Sequence, residues 1–192
     1  MKLSWMFTAF ILAFPVVLPA QVTVKGKNYP ASLSVEGRSL KLVGAGVRKK
    51  WGFSVYAMGA YTESGSCDPE HIIAADEAKL LKLDFLRDVS AEKFRSTMDK
   101  SFDDHMPADA SQELKDQRAK FVQSLTEDLA ENTSVEILYI PGRGTSVKVN
   151  DRQIGGVHGG RAFQRLLWDI YFGPKTCCEG LKEGILETCA SK

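Results

Sequence analysis

LVGAGVRKKWGFSVYAMGAYTE, residues 42–63, is the stretch of the chain that decides the fold. From residue 51 to residue 61 two sets of side chains alternate, and a period of two residues predicts a β-strand. One set is almost wholly apolar and suits a hydrophobic core: Trp51, Phe53, Val55, Ala57, Gly59 and Tyr61. The other set mixes a hydroxyl, a phenol and a thioether, which is typical of a face that lines a ligand: Gly52, Ser54, Tyr56, Met58 and Ala60.

The residues just before this strand combine glycines with a cluster of cations. Gly44 and Gly46 bracket Ala45, which predicts a sharp bend or a bulge at this point. Arg48 falls on the mixed face if the strand begins that early. A guanidinium in that position could hold a carboxylate or a phenolate through two parallel hydrogen bonds. Residue types alone favour the alternative that the Arg-Lys-Lys triplet is a solvated strand edge.

Residues 1–20 have the pattern of a secretory signal peptide. Lys2 precedes a run over residues 5–14 that is apolar except for Thr8, and Leu18-Pro19-Ala20 leads into a polar chain. The run is shorter than the ~20 residues that a membrane crossing needs, so a cleaved signal is favoured over a retained anchor. We therefore predict an exported protein whose mature chain begins at Gln21 and forms a single domain over residues 21–192.

Charge and motif content exclude several classes of function. Without Lys2 the chain has 24 basic and 24 acidic residues, so bulk nucleic-acid binding is not expected. The histidines show no HxH or HxxxH spacing and none accompanies the cysteines, so we predict neither a metal nor a cofactor. The serines lack a GxSxG motif and no cysteine has a recognisable nucleophile context, so covalent catalysis is not indicated.

Four cysteines, Cys67, Cys177, Cys178 and Cys189, can form disulfides in an exported chain. Their spacing alone does not determine the pairing. If residues 178–187 are helical, Cys178 and Cys189 are separated by about 16 Å along the helix axis. Disulfide Cα atoms lie within about 7 Å of each other. We therefore predict a bond from Cys67 to Cys177 or Cys178 rather than a bond within the tail.

The remaining segments show strand patterns and helix patterns in runs. Apolar side chains recur at helical spacing after Ser90 and again from Leu114, and the two stripes contain Phe102 and Phe121. Arg118 interrupts the second stripe, where a snorkelling side chain is favoured over a ligand contact. Runs of strands followed by runs of helices predict an α+β domain in which helices cover an antiparallel sheet.

Three segments of the chain resemble the chalcone isomerase-like family. They are GAGVRKKWGFSVYAMGAY (44–61), LDFLRDVS (83–90) and VNDRQIGGVHGGRAFQRLLWDIYFGPKTCCEGLKEGIL (149–186). The third is similar to the tail of the exported bacterial branch, which implies a periplasmic or secreted bacterial protein. The resemblance also implies an open-faced β-sandwich, in which a large antiparallel sheet curves over a layer of helices with a ligand cleft between them.

The same resemblance implies two alternative roles for Arg48. In flavonoid-making members the matching arginine stabilises an oxyanion and enolate while a phenol oxygen adds to an enone, the reaction of an isomerase of the intramolecular lyase type. The plant enzymes also use a helix tyrosine, which has no counterpart here between Tyr61 and Tyr139, and a strand threonine where this chain has Tyr56. In members without the isomerase site, the same arginine anchors the carboxylate of a fatty acid.

We therefore predict that the protein binds a small apolar acid, fatty-acid-like or phenolic, with Arg48 as its anchor. The other predicted lining residues are Ser54, Tyr56, Met58, Phe102, Arg118 and Phe121. One alternative is an isomerase with Arg48 as its catalytic residue, and another is a non-catalytic structural or interaction module. A nucleic-acid partner is not expected, and membrane contact is expected only through an uncleaved signal segment.

Overall fold

A computed structural model describes residues 21–191, so the predicted signal peptide lies outside the described residues. The strands of this part are β1 (Gln21–Val24), β2 (Lys27–Pro30), β3 (Ser32–Val35), β4 (Arg38–Lys50), β5 (Phe53–Thr62), β6 (Lys79–Phe85), β7 (Ser134–Ile140), β8 (Gly144–Val149) and β9 (Arg152–His158). The helices are α1 (Pro69–Ala74), α2 (Ala91–His105), α3 (Gln112–Ser124), α4 (Arg161–Phe172) and α5 (Glu179–Ala190). None of these helices has both the length and the apolar character that a bilayer crossing requires.

Strands β3 to β9 form one sheet in which each strand pairs antiparallel with the next along the chain. The larger hydrophobic core lies between one face of this sheet and the helices. The hairpin β1–β2 packs against the opposite face, where a second cluster forms around the buried Tyr29. The α+β domain with an antiparallel sheet covered by helices is therefore confirmed.

The strand predicted over residues 51–61 is correct in type, but its beginning is different. A two-residue turn at Trp51 and Gly52 separates β4 from β5, so Arg48 lies on the preceding strand. There it pairs directly with Tyr56 of β5, and the two side chains are cross-strand neighbours rather than neighbours along one strand. Phe53 is 63% exposed instead of buried because it lies at the end of the hairpin, beyond the covered part of the sheet.

Both faces of β5 are buried, each in its own cluster. Tyr56, Met58 and Ala60 face the helices, whereas Ala57 and Tyr61 belong to the second cluster. The two sets of alternating side chains therefore both contribute to cores, and the part of the hairpin that borders a cavity is its turn end, from Arg48 to Tyr56.

The glycines at positions 44 and 46 do not form a sharp bend, since both lie inside β4. A register shift between Leu42 and Gly44 supplies the bulge that the sequence predicted nearby. The lack of a side chain at these two glycines allows α5 to pack closely. A Cβ added at Gly44 would lie 1.9 Å from the carbonyl oxygen of Ile185, and a Cβ added at Gly46 would lie 2.6 Å from the carbonyl oxygen of Leu181. The glycines thus let α5 lie directly on the strand.

The predicted disulfide pairing is wrong. Cys67 bonds to Cys189, and Cys177 bonds to its neighbour Cys178. Because α5 lies along β4, its last turn returns to the loop that follows β5 and brings Cys189 to Cys67. The excluded bond between Cys178 and Cys189 is indeed absent from the described residues, because α5 separates them.

Candidate ligand-binding site

A cavity of about 540 Å³ lies between the sheet and the helices, at the end of the sheet where the β4–β5 hairpin turns. Its walls come from that hairpin, from the end of β6 and the following residues, from one side of α2, and from the segment that joins α4 to α5. Its volume is within the range of about 300–1,000 Å³ that small-molecule sites in proteins have.

Three polar side chains meet at the cavity: Arg48 of β4, Tyr56 of β5 and Tyr171 of α4. Both tyrosines are buried, and burial raises the pKa of the Tyr56 hydroxyl, an effect that the nearby Arg48 charge and a hydrogen bond with Tyr171 oppose. Burial, with Tyr56 beside it, also holds the pKa of Tyr171 well above its usual value. Both phenols are therefore protonated at neutral pH. The Tyr171 hydroxyl donates to the Met98 Sδ atom at 3.8 Å, a weak acceptor that a ligand oxygen can replace.

The Arg48 guanidinium can donate more hydrogen bonds than it forms with the described residues. Its Nη1 atom donates to the carbonyl oxygen of Lys49 at 2.9 Å. Arg48 takes part in none of the ion pairs formed within residues 21–191. A guanidinium has five N–H donors, so Arg48 can bind an anionic ligand without first breaking an ion pair.

The walls around these polar groups are apolar. Phe85 lies with its ring centroid 5.5 Å from that of Tyr56, and Phe94 packs against Phe85 edge-on at 5.7 Å. The α2 hydroxyls that border the cavity are already used, since Thr97 donates to the Lys93 carbonyl and Ser101 to the Thr97 carbonyl. Apart from the three polar side chains, this part of the cavity suits a hydrocarbon.

The mouth of the cavity carries aromatic rings and positive charge. Trp51 and Phe53 border it and are 83% and 63% exposed. Lys50, Arg87 and Lys93 also border it, and Asp88 contributes one carboxylate. The potential at the entrance therefore favours anions.

A family model described as chalcone isomerase-like matches residues 21–187 of the chain. The chain belongs to the chalcone isomerase-like family. Among solved structures, it is similar to a fatty-acid binding protein of Arabidopsis thaliana, with a TM-score of 0.72 and 19% sequence identity. The match covers 90% of this chain and 98% of the Arabidopsis chain, so the two proteins share the fold. No curated protein matches the chain significantly.

In this chalcone isomerase-like protein, two of the predicted site residues, Arg48 and Tyr56, border the cavity. The structure places the other predicted positions elsewhere. Met58 is fully buried in the core, and Ser54 lies near the hairpin turn opposite Lys49. Neither of these two side chains is part of the cavity wall that the described residues form.

The predicted lining residues of α2 and α3 lie away from the cavity as well. Phe102 and Phe121 pack edge-on at 5.6 Å, and both rings contact Phe163 of α4. Arg118 does not border this cavity, and its Nη2 atom pairs with Asp99 at 2.8 Å and with Asp103 of α2. These three side chains hold the helical layer together.

Sequence reasoning missed Tyr171 and the cysteine pair Cys177–Cys178, all of which border the cavity. Phe94 and Met98, which belong to the apolar stripe after Ser90, border the cavity as well. Helical periodicity shows which side chains point inward, but it does not show where the layers leave a gap.

Proposed function

We propose that this protein binds a small apolar acid of the fatty-acid type, with the carboxylate held by Arg48 and the hydrocarbon in the cavity. One observation carries the proposal: a guanidinium that has no ion-pair partner among residues 21–191 lies beside two buried phenols at a cavity with apolar walls. The Arabidopsis protein of the same fold is a fatty-acid binding protein, which supports this choice of ligand.

The chemistry of the three polar groups matches a carboxylate. A guanidinium can donate two parallel hydrogen bonds to one carboxylate, and such charge-assisted bonds are stronger than neutral ones. A protonated phenol adds a donor, so Tyr56 and Tyr171 can complete the hydrogen bonding of the bound anion. A neutral alcohol or ester would leave much of this donor capacity unused.

We further propose that the protein is exported. The signal-peptide pattern of residues 1–20 supports export. All four cysteines are paired in disulfides, and disulfides of this kind persist in oxidising compartments outside the cytosol.

The first experiment looks for a ligand without choosing it. Protein purified from its own host is denatured, and the released small molecules are identified by mass spectrometry. We expect one or a few apolar carboxylic acids in stoichiometric amounts. Preparations that release no acid, together with purified protein that binds no fatty acid in titration calorimetry, would contradict the proposal.

The second experiment tests the anchor. Arg48→Ala removes the charge-assisted hydrogen bonds, so the Kd for a long-chain fatty acid should rise about 10- to 100-fold. Arg118→Ala is the matched control, because it removes an arginine that is ion-paired between α2 and α3, and ligand affinity should not change. Equal losses in both variants would mean that Arg48 is not the anchor.

The isomerase alternative is checked with the same protein preparations. Binding without chemistry predicts no conversion of a 2′-hydroxychalcone. Turnover that Arg48→Ala abolishes would show that the arginine serves conjugate addition instead, as it does in the enzymes of the family.

A further inference from the structure

The β4–β5 hairpin tip, residues 49–53, presents large apolar side chains to solvent. Trp51 and Phe53 are 83% and 63% exposed, and Val157 is the other large hydrophobic residue that is exposed in the described part of the chain. An exposed tryptophan next to an exposed phenylalanine is an unfavourable surface for a protein that contacts only water.

Trp51 also occupies a backbone position that suits other residues better. In the part of the chain that the structure describes, four two-residue hairpin turns have positive φ at both positions: Lys25-Gly26, Glu36-Gly37, Trp51-Gly52 and Asn150-Asp151. Such turns favour asparagine, aspartate or glycine at the first position. Three of the four turns have a polar residue there. Trp51 instead has a large apolar side chain at φ +51°, which is unfavourable for the backbone and exposes the ring to water.

Cations surround the two exposed rings. The Lys50 ammonium lies 5.2 Å from the centre of the Trp51 ring, and the Arg87 guanidinium lies 5.1 Å from the centre of the Phe53 ring. Lys49 is exposed on the same hairpin. The nearby Asp88 carboxylate is engaged elsewhere, because it accepts a hydrogen bond from the Glu131 amide. The tip thus combines aromatic rings with a local excess of positive charge.

We propose that the hairpin tip docks on an anionic lipid surface, with Trp51 and Phe53 inserted at the interface and the cations on the headgroups. Tryptophan and phenylalanine partition into the interfacial layer of a bilayer, and lysines and arginines near the surface are attracted by anionic lipids. Because the same residues border the cavity, docking turns the cavity mouth toward the bilayer. This contact involves residues 49–53 and Arg87, so it is separate from any contact through residues 1–20.

The test measures partition of the protein, expressed from the full chain, onto vesicles. Vesicles of equal parts phosphatidylglycerol and phosphatidylcholine are compared with vesicles of phosphatidylcholine alone, by flotation at low and at high salt. We expect strong binding to the anionic vesicles that weakens with salt. Equal binding to both vesicle types, or no binding to either, would overturn the proposal.

The decisive variant is Trp51→Asn with Phe53→Thr. Asparagine before Gly52 suits the turn, so thermal stability should stay the same or rise. The partition coefficient onto anionic vesicles should fall about tenfold or more, because the inserted aromatic area is lost. Val157→Ser is the matched control, since it removes an exposed apolar side chain on β9, and it should leave vesicle binding unchanged. Equal losses in the control and the double variant would contradict docking by the tip.

Charge and insertion can be measured separately. Lys50→Gln should weaken binding to the anionic vesicles about fivefold. In protein from which residues 1–20, with Trp5, have been cleaved, brominated lipids should quench Trp51 emission and leave the buried Trp168 unaffected, so the quenching disappears in Trp51→Asn. If sedimentation shows that the tip instead joins two copies of the chain, with no vesicle-dependent quenching, the proposal is wrong.

Discussion

At the scale of single residues, Arg48 and Tyr56 gain their relation from strand pairing. They are eight positions apart in sequence, yet the register of β4 with β5 places them directly opposite each other. Tyr171 reaches the same place from α4, and its pKa and that of Tyr56 are both raised by burial. Three residues from three elements therefore form one group of donors.

Tyr56→Phe tests whether the phenol takes part in carboxylate binding. The variant keeps the ring and removes one donor to an anion, which typically contributes about 1.5–3 kcal/mol. We expect binding of a fatty acid to weaken about 10- to 100-fold and binding of the matching fatty alcohol to stay unchanged, both measured by calorimetry. Equal effects on acid and alcohol would indicate a packing defect instead.

Lys79 is a second residue with an unusual environment, and it has no part in the cavity. Its side chain is fully buried, donates to the Ile72 carbonyl at the end of α1, and lies 5.4 Å from the centre of the Trp168 ring. Burial lowers its pKa to about 8, although Glu77 and Asp76 partly oppose this effect. The protonated lysine therefore destabilises the fold relative to the neutral one.

This lowered pKa predicts a pH dependence of stability. Between pH 8 and pH 10 the unfolded chain holds the Lys79 proton more tightly than the folded chain does, so stability rises with pH. The free energy of unfolding should gain about 2 kcal/mol from this group over that window, in denaturant titrations. Lys79→Met should remove the rise. Above pH 10 the buried tyrosines, whose pKa values are raised, act in the opposite direction.

At the scale of elements, the contact between α5 and β4 depends on glycine. Gly44 and Gly46 leave no room for a side chain beneath the carbonyls of Ile185 and Leu181. The Thr188 hydroxyl donates to the Ala45 carbonyl at 3.1 Å and joins the two elements further. The helix and the strand are thus in backbone contact.

Gly44→Ala should separate α5 from β4. The added methyl group collides with backbone atoms that cannot rotate away, so we expect a loss of about 3 kcal/mol in the free energy of unfolding. Gly180→Ala is the matched control on α5, because its Cβ meets nothing within 4 Å, and stability should rise by up to about 1 kcal/mol. Similar stabilities of the two variants in urea unfolding would disprove the close packing.

At the scale of the whole molecule, the Cys67–Cys189 disulfide joins parts that are 122 residues apart. It ties the end of α5 to the loop after β5. The strands β6 to β9 and almost all of the helical layer lie within the closed loop. The Cys177–Cys178 bond joins neighbouring residues and closes no such loop.

The two disulfides should therefore contribute very differently to stability. Replacing Cys67 and Cys189 by serine frees a long loop in the unfolded chain and should cost about 4 kcal/mol. Replacing Cys177 and Cys178 by serine should change stability by much less and should instead alter ligand affinity, because both residues border the cavity. Thermal unfolding and calorimetry of the two double variants check both expectations.

The features that depend on local periodicity can be predicted from the sequence. Alternation over residues 51–61 identified a strand with two distinct faces, Ser90 marked the start of α2, and the runs of elements indicated the α+β class. These predictions succeeded because the periods of strands and helices repeat within a few residues. Within such a short segment the alternation of apolar and polar side chains indicates the type of element.

Only the tertiary structure decided the features that depend on how distant elements pack. Gly44 and Gly46 suggest a bend until α5 is placed on them. From the sequence Arg118 is a cation on an apolar stripe, and only the packing of α2 against α3 brings Asp99 and Asp103 to it. The relative positions of distant elements produce the cavity, the Cys67–Cys189 bond and the Arg48–Tyr56 pair. Packing of the whole core sets these positions, and no repeating pattern of residues in the sequence encodes them.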